Sequence, residues 1–323
     1  AGGHVWHAES PYPALDGLPS VTDGRTFAPF VYPAPAAFAM VPFAALPFAL
    51  AATLFLALSL GAIFGALRLL NVRDWRCYVA VLGSVPVVAG NLLGTFSPLL
   101  LLGAAGAWRY RDRISRVAPI VAALVVAKLF LWPLWLWLVY TRRYAAAVVS
   151  AALGLGVTLV TWSLIDFAGL HDYPKLLSRL SELTGKNSYS LYALGRAAGA
   201  APGATQAGVL VVGVVLAVVA ARVLRVGRSD QRAFVASLGI ALLLTPILWP
   251  HYLVLLFVPI ALIRREFSWP WLLPLLLWMD PNAWSFGQPA RIVPLLAIAA
   301  APIVLALKTA AMTAPPAAAL RRF

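Results

Sequence analysis

The feature that most constrains this chain is a recurrence of long apolar runs separated by short basic turns. The segment PFALAATLFLALSLGAIFGALRLL (47–70) has the length, about 20 apolar residues, that carries a helix across the roughly 30 Å hydrocarbon core of a bilayer. Similar runs follow one another from Pro47 to Met312. With 62% hydrophobic and 11% charged residues, the chain lies far outside the composition of soluble domains. The alternating pattern of a membrane β-barrel is nowhere visible. The sequence therefore predicts an all-α, polytopic transmembrane protein. The net charge of +14 does not point to nucleic acid, because the basic residues sit in turns between apolar runs and not in a soluble patch. The single cysteine, Cys77, leaves no disulfide framework to build.

The basic turns set the expected topology, since Lys and Arg are retained on the cytoplasmic side. Residues 1–33 are polar, rich in Pro and Gly, and carry Glu9, Asp16 and Asp23 against Arg25. They read as an external loop, followed by a single transmembrane domain over 34–323. The run 47–70 then crosses inward to Arg68, Arg73 and Arg76. Further inside turns fall at Arg109–Arg116, Arg142–Arg143, Arg222–Arg232, Arg264–Arg265 and Lys308–Arg322. A second external loop covers 167–205, whose HDYPKLLSRLSELTGKNSYSLYALGR stretch has the pattern of an interfacial amphipathic helix. The result is about eleven helices or half-helices. The tryptophans of LFLWPLWLWLVY and SWPWLLPLLLWMD read as interfacial belt residues.

Residues 78–108, 118–140 and 233–263 break this regularity. Each is too short for two full spans, yet both flanks of each carry inside-type charge. Paired short helices that turn within the membrane resolve the conflict, and irregular backbone at such depth must be buried in protein or line a cavity. The turns carry Asn91, Lys128 and His251, so polar side chains fall where the helices break. In LLLTPILWPHYLVLLFVPIAL (242–262), His251 sits near the middle of an otherwise apolar stretch. Ionisable groups at membrane depth are costly and usually face an interior, which favours a functional role for His251 and Lys128. The bland alternatives are a histidine that only bonds a neighbouring helix, a lysine that snorkels to the interface, and an asparagine that only caps a helix.

Several stretches taken together resemble one family. AGGHVWHAESPYP, FVYPAPAAFAMVPFAALP, the Gly90–Asn91 turn, the intramembrane lysine with RRYAAA after it, and TPILWPHYLVLLFVP are similar, in that order, to the polyprenol-phosphate-mannose-dependent α-mannosyltransferases of actinobacteria. The resemblance covers nearly the whole chain and implies a GT-C-like fold. It implies an enzyme of the extracytoplasmic face of the cell membrane that moves mannose from a polyprenyl-phosphate donor to a glycolipid or polysaccharide acceptor. His251 would contact the donor phosphate or sugar, Lys128 would add fixed positive charge, and Tyr12 and Tyr32 would shape the external mouth, with Asn91 also lining the site. No cofactor or metal is implied, and the sequence carries no Asp-x-Asp or clustered His and Cys.

One departure stands out. Members of that family place an aspartate, the expected base, in a first external loop ahead of the segment that resembles AGGHVWHAESPYP. Here that segment begins at Ala1, and no acid lies between Ala1 and Glu9. The sequence therefore reads as lacking the base, expected upstream of Ala1, together with the helix before it, and as binding donor without transferring sugar. Asp16, Asp23 and Glu9 are the fallback bases, Asp16 first because it follows closely on Tyr12. A lipid or solute transporter is the alternative, since broken helices with intramembrane Lys and His serve that class too, although the chain lacks two matching halves. A structural membrane subunit is a third reading.

Overall fold

The computed structural model describes residues 1–13, 30–184, 188–227, 229–279 and 288–312. Among these, all regular structure is helical. At the N-terminus α1 (Gly2–Trp6) packs on α2 (Ala34–Ala39) and α3 (Val41–Ala44). Gly2 makes this approach possible: a Cβ there would lie 2.7 Å from the Met40 carbonyl oxygen.

The first full span is α4 (Phe48–Leu69), whose 22 residues reach about 33 Å at ~1.5 Å per residue. Next come α5 (Trp75–Leu82), α6 (Val85–Leu92) and α7 (Ser97–Arg109). The sequence predicts two apolar runs over 78–108. The structure divides this region into three helices, because Ser84 and Pro86 end one helix and start another. Asp74 begins α5 by accepting the Arg76 backbone N–H at 3.1 Å, and its second oxygen accepts the Phe267 N–H at 2.9 Å. The Arg76 guanidinium and that N–H hold the Asp74 carboxyl well below the usual carboxylate range.

The chain continues through α8 (Ile114–Ala127), the 3-10 turn Leu129–Leu131, α9 (Pro133–Tyr140) and the long α10 (Tyr144–Ser163). The expected interfacial helix is α11 (Tyr173–Thr184), which buries Tyr173 and Leu176 and exposes Lys175 and Glu182. The remaining helices are α12 (Leu191–Ala197), α13 (Pro202–Gly227) and α14 (Asp230–Leu244). After them the 3-10 helix Pro250–Leu256 leads into α15 (Phe257–Ile263). The 3-10 helix Trp269–Met279 and α16 (Pro289–Met312) complete the described chain. It is cut more finely than the eleven segments expected, but the all-α, multi-span architecture is the same.

Among the described residues, four helices are long and apolar enough to cross a membrane, over Phe48–Leu69, Tyr144–Ser163, Pro202–Arg222 and Pro289–Thr309. The shorter helices pack inside them, with Trp137, Phe234, Phe257 and Trp271 among the fully buried side chains. The turns before α8 and α10 and the start of α14 are joined by one carboxylate. Asp230 accepts from Arg111 Nε at 2.8 Å, from Arg143 at 2.8 and 2.9 Å, and from Trp137 Nε1 at 2.9 Å. Arg111 also lies over the Trp108 ring, 4.3 Å from its centroid. These helix ends therefore share one side of the membrane, the side of the basic turns. In a Cys77→Ser background, a cysteine replacing Glu182 should react with an impermeant thiol reagent on intact cells, and one replacing Arg113 should not. Equal reaction at both positions would contradict the orientation drawn from the basic turns.

Candidate functional site

α8 rises from the basic turns for 14 residues, about 21 Å, which passes the middle of a roughly 30 Å core. Its helical pattern then stops at Lys128, where the backbone turns extended (φ −147°, ψ 102°). A 3-10 turn and Pro133 restart the chain as α9. At that depth the side chain cannot snorkel back to the basic side, and it points into the protein: Lys128 is 8% exposed. Its ammonium donates to the Tyr252 hydroxyl at 2.7 Å and lies 3.9 Å from the Tyr32 ring centroid and 4.5 Å from that of Tyr252. No carboxylate pairs with it among the described residues.

His251 arrives the same way, on a helix that starts at the basic side. α14 ends at Leu244, residues 245–249 carry no helix, and the 3-10 helix beginning at Pro250 presents His251 and Tyr252 together. The extended stretch is held by the loop outside it. Tyr189 N–H donates to the Leu248 carbonyl at 3.0 Å, and Ser190 Oγ donates to the Pro246 carbonyl at 2.7 Å. The imidazole of His251 is buried, stacks on Trp249 and meets Tyr252 edge-on at 4.6 Å. Its Nδ1 has no hydrogen-bond partner among the described residues. Gly90 faces it closely: a Cβ on Gly90 would lie 3.6 Å from the His251 Cβ and 3.4 Å from Thr95 Oγ1.

Asn91 lies in the last turn of α6 and not in the break itself, which follows at Gly94 (φ 58°). Its Oδ1 and the Ser97 Oγ are also buried without partners among the described residues. Such orphaned polar atoms are rare in folded proteins and call for an explanation. Lys128, His251 and Tyr32 thus come together through Tyr252, with Gly90 against the histidine.

Tyr12, expected at the external mouth, sits in an aromatic group behind Tyr32. It stacks on Trp162 at 5.5 Å and tilts against Tyr173 and Phe30, and its hydroxyl donates to the Tyr32 carbonyl at 3.1 Å. Burial in that aromatic group raises its phenol above the ordinary range. It therefore supports the Tyr32 segment and is not one of the groups touching Lys128.

The expected bases fare differently from one another. Ala1, ahead of which the family's aspartate was expected, is exposed and serves as the N-cap of α1, its carbonyl accepting the Val5 N–H at 3.2 Å. It carries no side-chain chemistry, and its helix packs on α2 and α3. Glu9 is exposed and bonds His4 at 3.0 Å. Asp16 and Asp23 lie outside the described residues.

Sequence reading missed Tyr252, although it adjoins His251 in the broken element. It also missed Ser97, whose place beside Pro98 reads as a helix start.

The fold and these buried polar groups define a polytopic membrane protein with an ionisable cluster at its intramembrane helix breaks. The family model of Glycosyltransferase family 87 matches residues 30–250, more than half of the chain, and the chain belongs to that family of membrane glycosyltransferases. The match includes Tyr32, Asn91 and Lys128 and ends at the residue before His251. No curated protein and no solved structure matches the chain.

Proposed function

We propose that this glycosyltransferase moves a hexose, mannose, from a polyprenyl-phosphate donor to a glycolipid or polysaccharide acceptor on the extracytoplasmic side of the cell membrane. The observation that carries the reading is the Lys128 ammonium, buried past mid-membrane with hydroxyl and ring partners and no carboxylate among the described residues. A cation over an aromatic face gains only about 0.5–2 kcal/mol. An isolated charge in a low-dielectric interior costs several times that. The arrangement is offset once an anion arrives, and Lys128, about 21 Å up a roughly 30 Å core, lies in the half of the bilayer nearer the headgroups opposite the basic turns, where the phosphate of a lipid-linked donor sits.

In transfer, the acceptor hydroxyl oxygen bonds to the anomeric carbon as the bond from that carbon to the phosphate oxygen breaks. The electron pair leaves with the phosphate, and the hydroxyl proton passes to a base. Lys128 stabilises the charge that grows on the leaving phosphate. The unpartnered Nδ1 of His251 supplies a hydrogen bond to the same phosphate or to the sugar. The base is a carboxylate of the external segments, with Asp16, Asp23 and Glu9 the candidates within this chain.

The test is donor choice. Membranes containing the protein, given radiolabelled polyprenyl-phosphate mannose or GDP-mannose with an acceptor extract, should form product from the lipid donor with the nucleotide route blocked. Product from GDP-mannose alone would overturn the reading.

A further inference from the structure

A second feature, which sugar transfer does not use, lies on α14 and its neighbours. A groove of about 670 Å³ runs between α13, α14 and α16, within the roughly 300–1,000 Å³ of small-ligand sites. Its walls are apolar, from Leu243, Leu296 and the Leu248 and Leu253 of the His251 stretch at one end to Leu307 at the other, where Arg232 and Lys308 join them. Arg232 follows two residues after Asp230, the carboxylate bound to the basic turns, so the cationic end faces the side of those turns. From Arg232 to Leu243 along α14 is about 16 Å, close to half of the roughly 30 Å core. The groove is thus one leaflet deep.

Both cations are available. Arg232 spends its Nε on the Leu307 carbonyl at 3.3 Å, Lys308 is exposed, and neither pairs with a carboxylate among the described residues. α13 and α16 carry exposed apolar side chains such as Leu210 and Val304, but a concave apolar slot of leaflet depth that ends in two unpaired cations is specific in both shape and charge. We propose that it holds a diacyl phospholipid with an anionic head, drawn from the leaflet on the side of the basic turns. The acyl chain lies along α14 and α16, and the phosphate sits between Arg232 and Lys308. Its lining includes neither Lys128 nor His251 nor Tyr252, although Leu248 and Leu253 beside them close its inner end, and the proposal does not rest on the glycosyltransfer reading.

The experiment is a melting-temperature titration of the purified full chain in detergent. The added lipids are phosphatidylglycerol, phosphatidylcholine of the same acyl chains, and decaprenyl phosphate. Two cations at about fivefold each near a membrane surface predict that phosphatidylglycerol binds on the order of 20-fold more tightly than phosphatidylcholine. In Arg232→Gln/Lys308→Gln that preference should fall to about one. Ala300→Phe narrows the apolar wall without touching the charge, and should weaken both phospholipids while keeping their ratio. It also serves as the readout if the double variant does not fold. Equal affinity for the two phospholipids, a preference that survives the double substitution, or no effect of Ala300→Phe would overturn the proposal. Tighter binding of decaprenyl phosphate than of phosphatidylglycerol would also overturn it, by giving the groove to an isoprenoid tail.

Discussion

If the donor is the proposed lipid phosphate, Lys128→Met should lower sugar transfer by on the order of 10²–10³-fold, the usual loss when one group stabilising developing charge is removed. Methionine keeps most of the stem between Tyr32 and Tyr252, so packing changes little and the protein still accumulates in the membrane. What is lost is the ammonium at 2.7 Å from the Tyr252 hydroxyl, the cation on which the cluster is built. The drop should fall mainly on kcat, because the leaving phosphate carries more charge in the transition state than in the bound donor. Lys128→Arg keeps the charge but cannot place a planar guanidinium between two ring faces in the same way, and recovers part of the rate. His251→Ala should fall by a similar factor, since its unpartnered Nδ1 has no structural bond to lose. Turnover of Lys128→Met near wild type, measured on equal amounts of folded protein, would assign the lysine to packing.

The second large effect is on stability. Asp230→Ala removes the acceptor shared by Arg111, Arg143 and Trp137 and leaves two guanidinium groups and an indole N–H facing one another. Hydrogen bonds to charged groups contribute about 1.5–3 kcal/mol each, and breaking a well-buried pair costs about 3–5 kcal/mol. Here the side chains are 28% exposed at Asp230, 21% at Arg143 and 31% at Arg111, so water screens part of the loss. A net destabilisation of about 2–3 kcal/mol is expected, read as a lower midpoint in denaturant titration of the detergent-solubilised protein. Asp112, which bonds Arg143 at 2.6 Å but is itself 70% exposed, should be worth far less. A midpoint unchanged in Asp230→Ala would mean the three helix ends are fixed by apolar packing alone.

The long spans were legible because their signal is length and hydropathy, which hold for Phe48–Leu69 and Pro289–Thr309 whatever their neighbours. The helix breaks at Lys128 and before Pro250 were legible as well, since a charge or a proline pair inside a short apolar run leaves few other choices. Local sequence could not show that the breaks meet. Lys128 and Tyr252 are 124 residues apart, and only the packing of α14 beside α9 brings their segments together. The restart at Ser84–Pro86 was hidden because the residues on both sides are equally apolar. Asp230 reads as one of the few acids of the basic side, yet its place as a common acceptor depends on turns 87 and 119 residues away. The aromatic partners of Tyr12 could not be read from the sequence, because Trp162 and Tyr173 lie far along the chain from it.

The 124-residue separation of Lys128 from Tyr252 also bears on how the chain is assembled. Synthesised from its N-terminus, the protein delivers the lysine to the membrane long before the hydroxyl that accepts its hydrogen bond. In that interval only Tyr32, already made, can shield the ammonium. The stretch that carries Tyr252 is in turn clamped from outside by Ser190, 56 residues ahead of Pro246. The polar cluster is therefore among the last parts of the molecule to close. A nascent chain stopped at Trp249 would have three of the four long described spans in place and the Lys128 ammonium still without its Tyr252 partner.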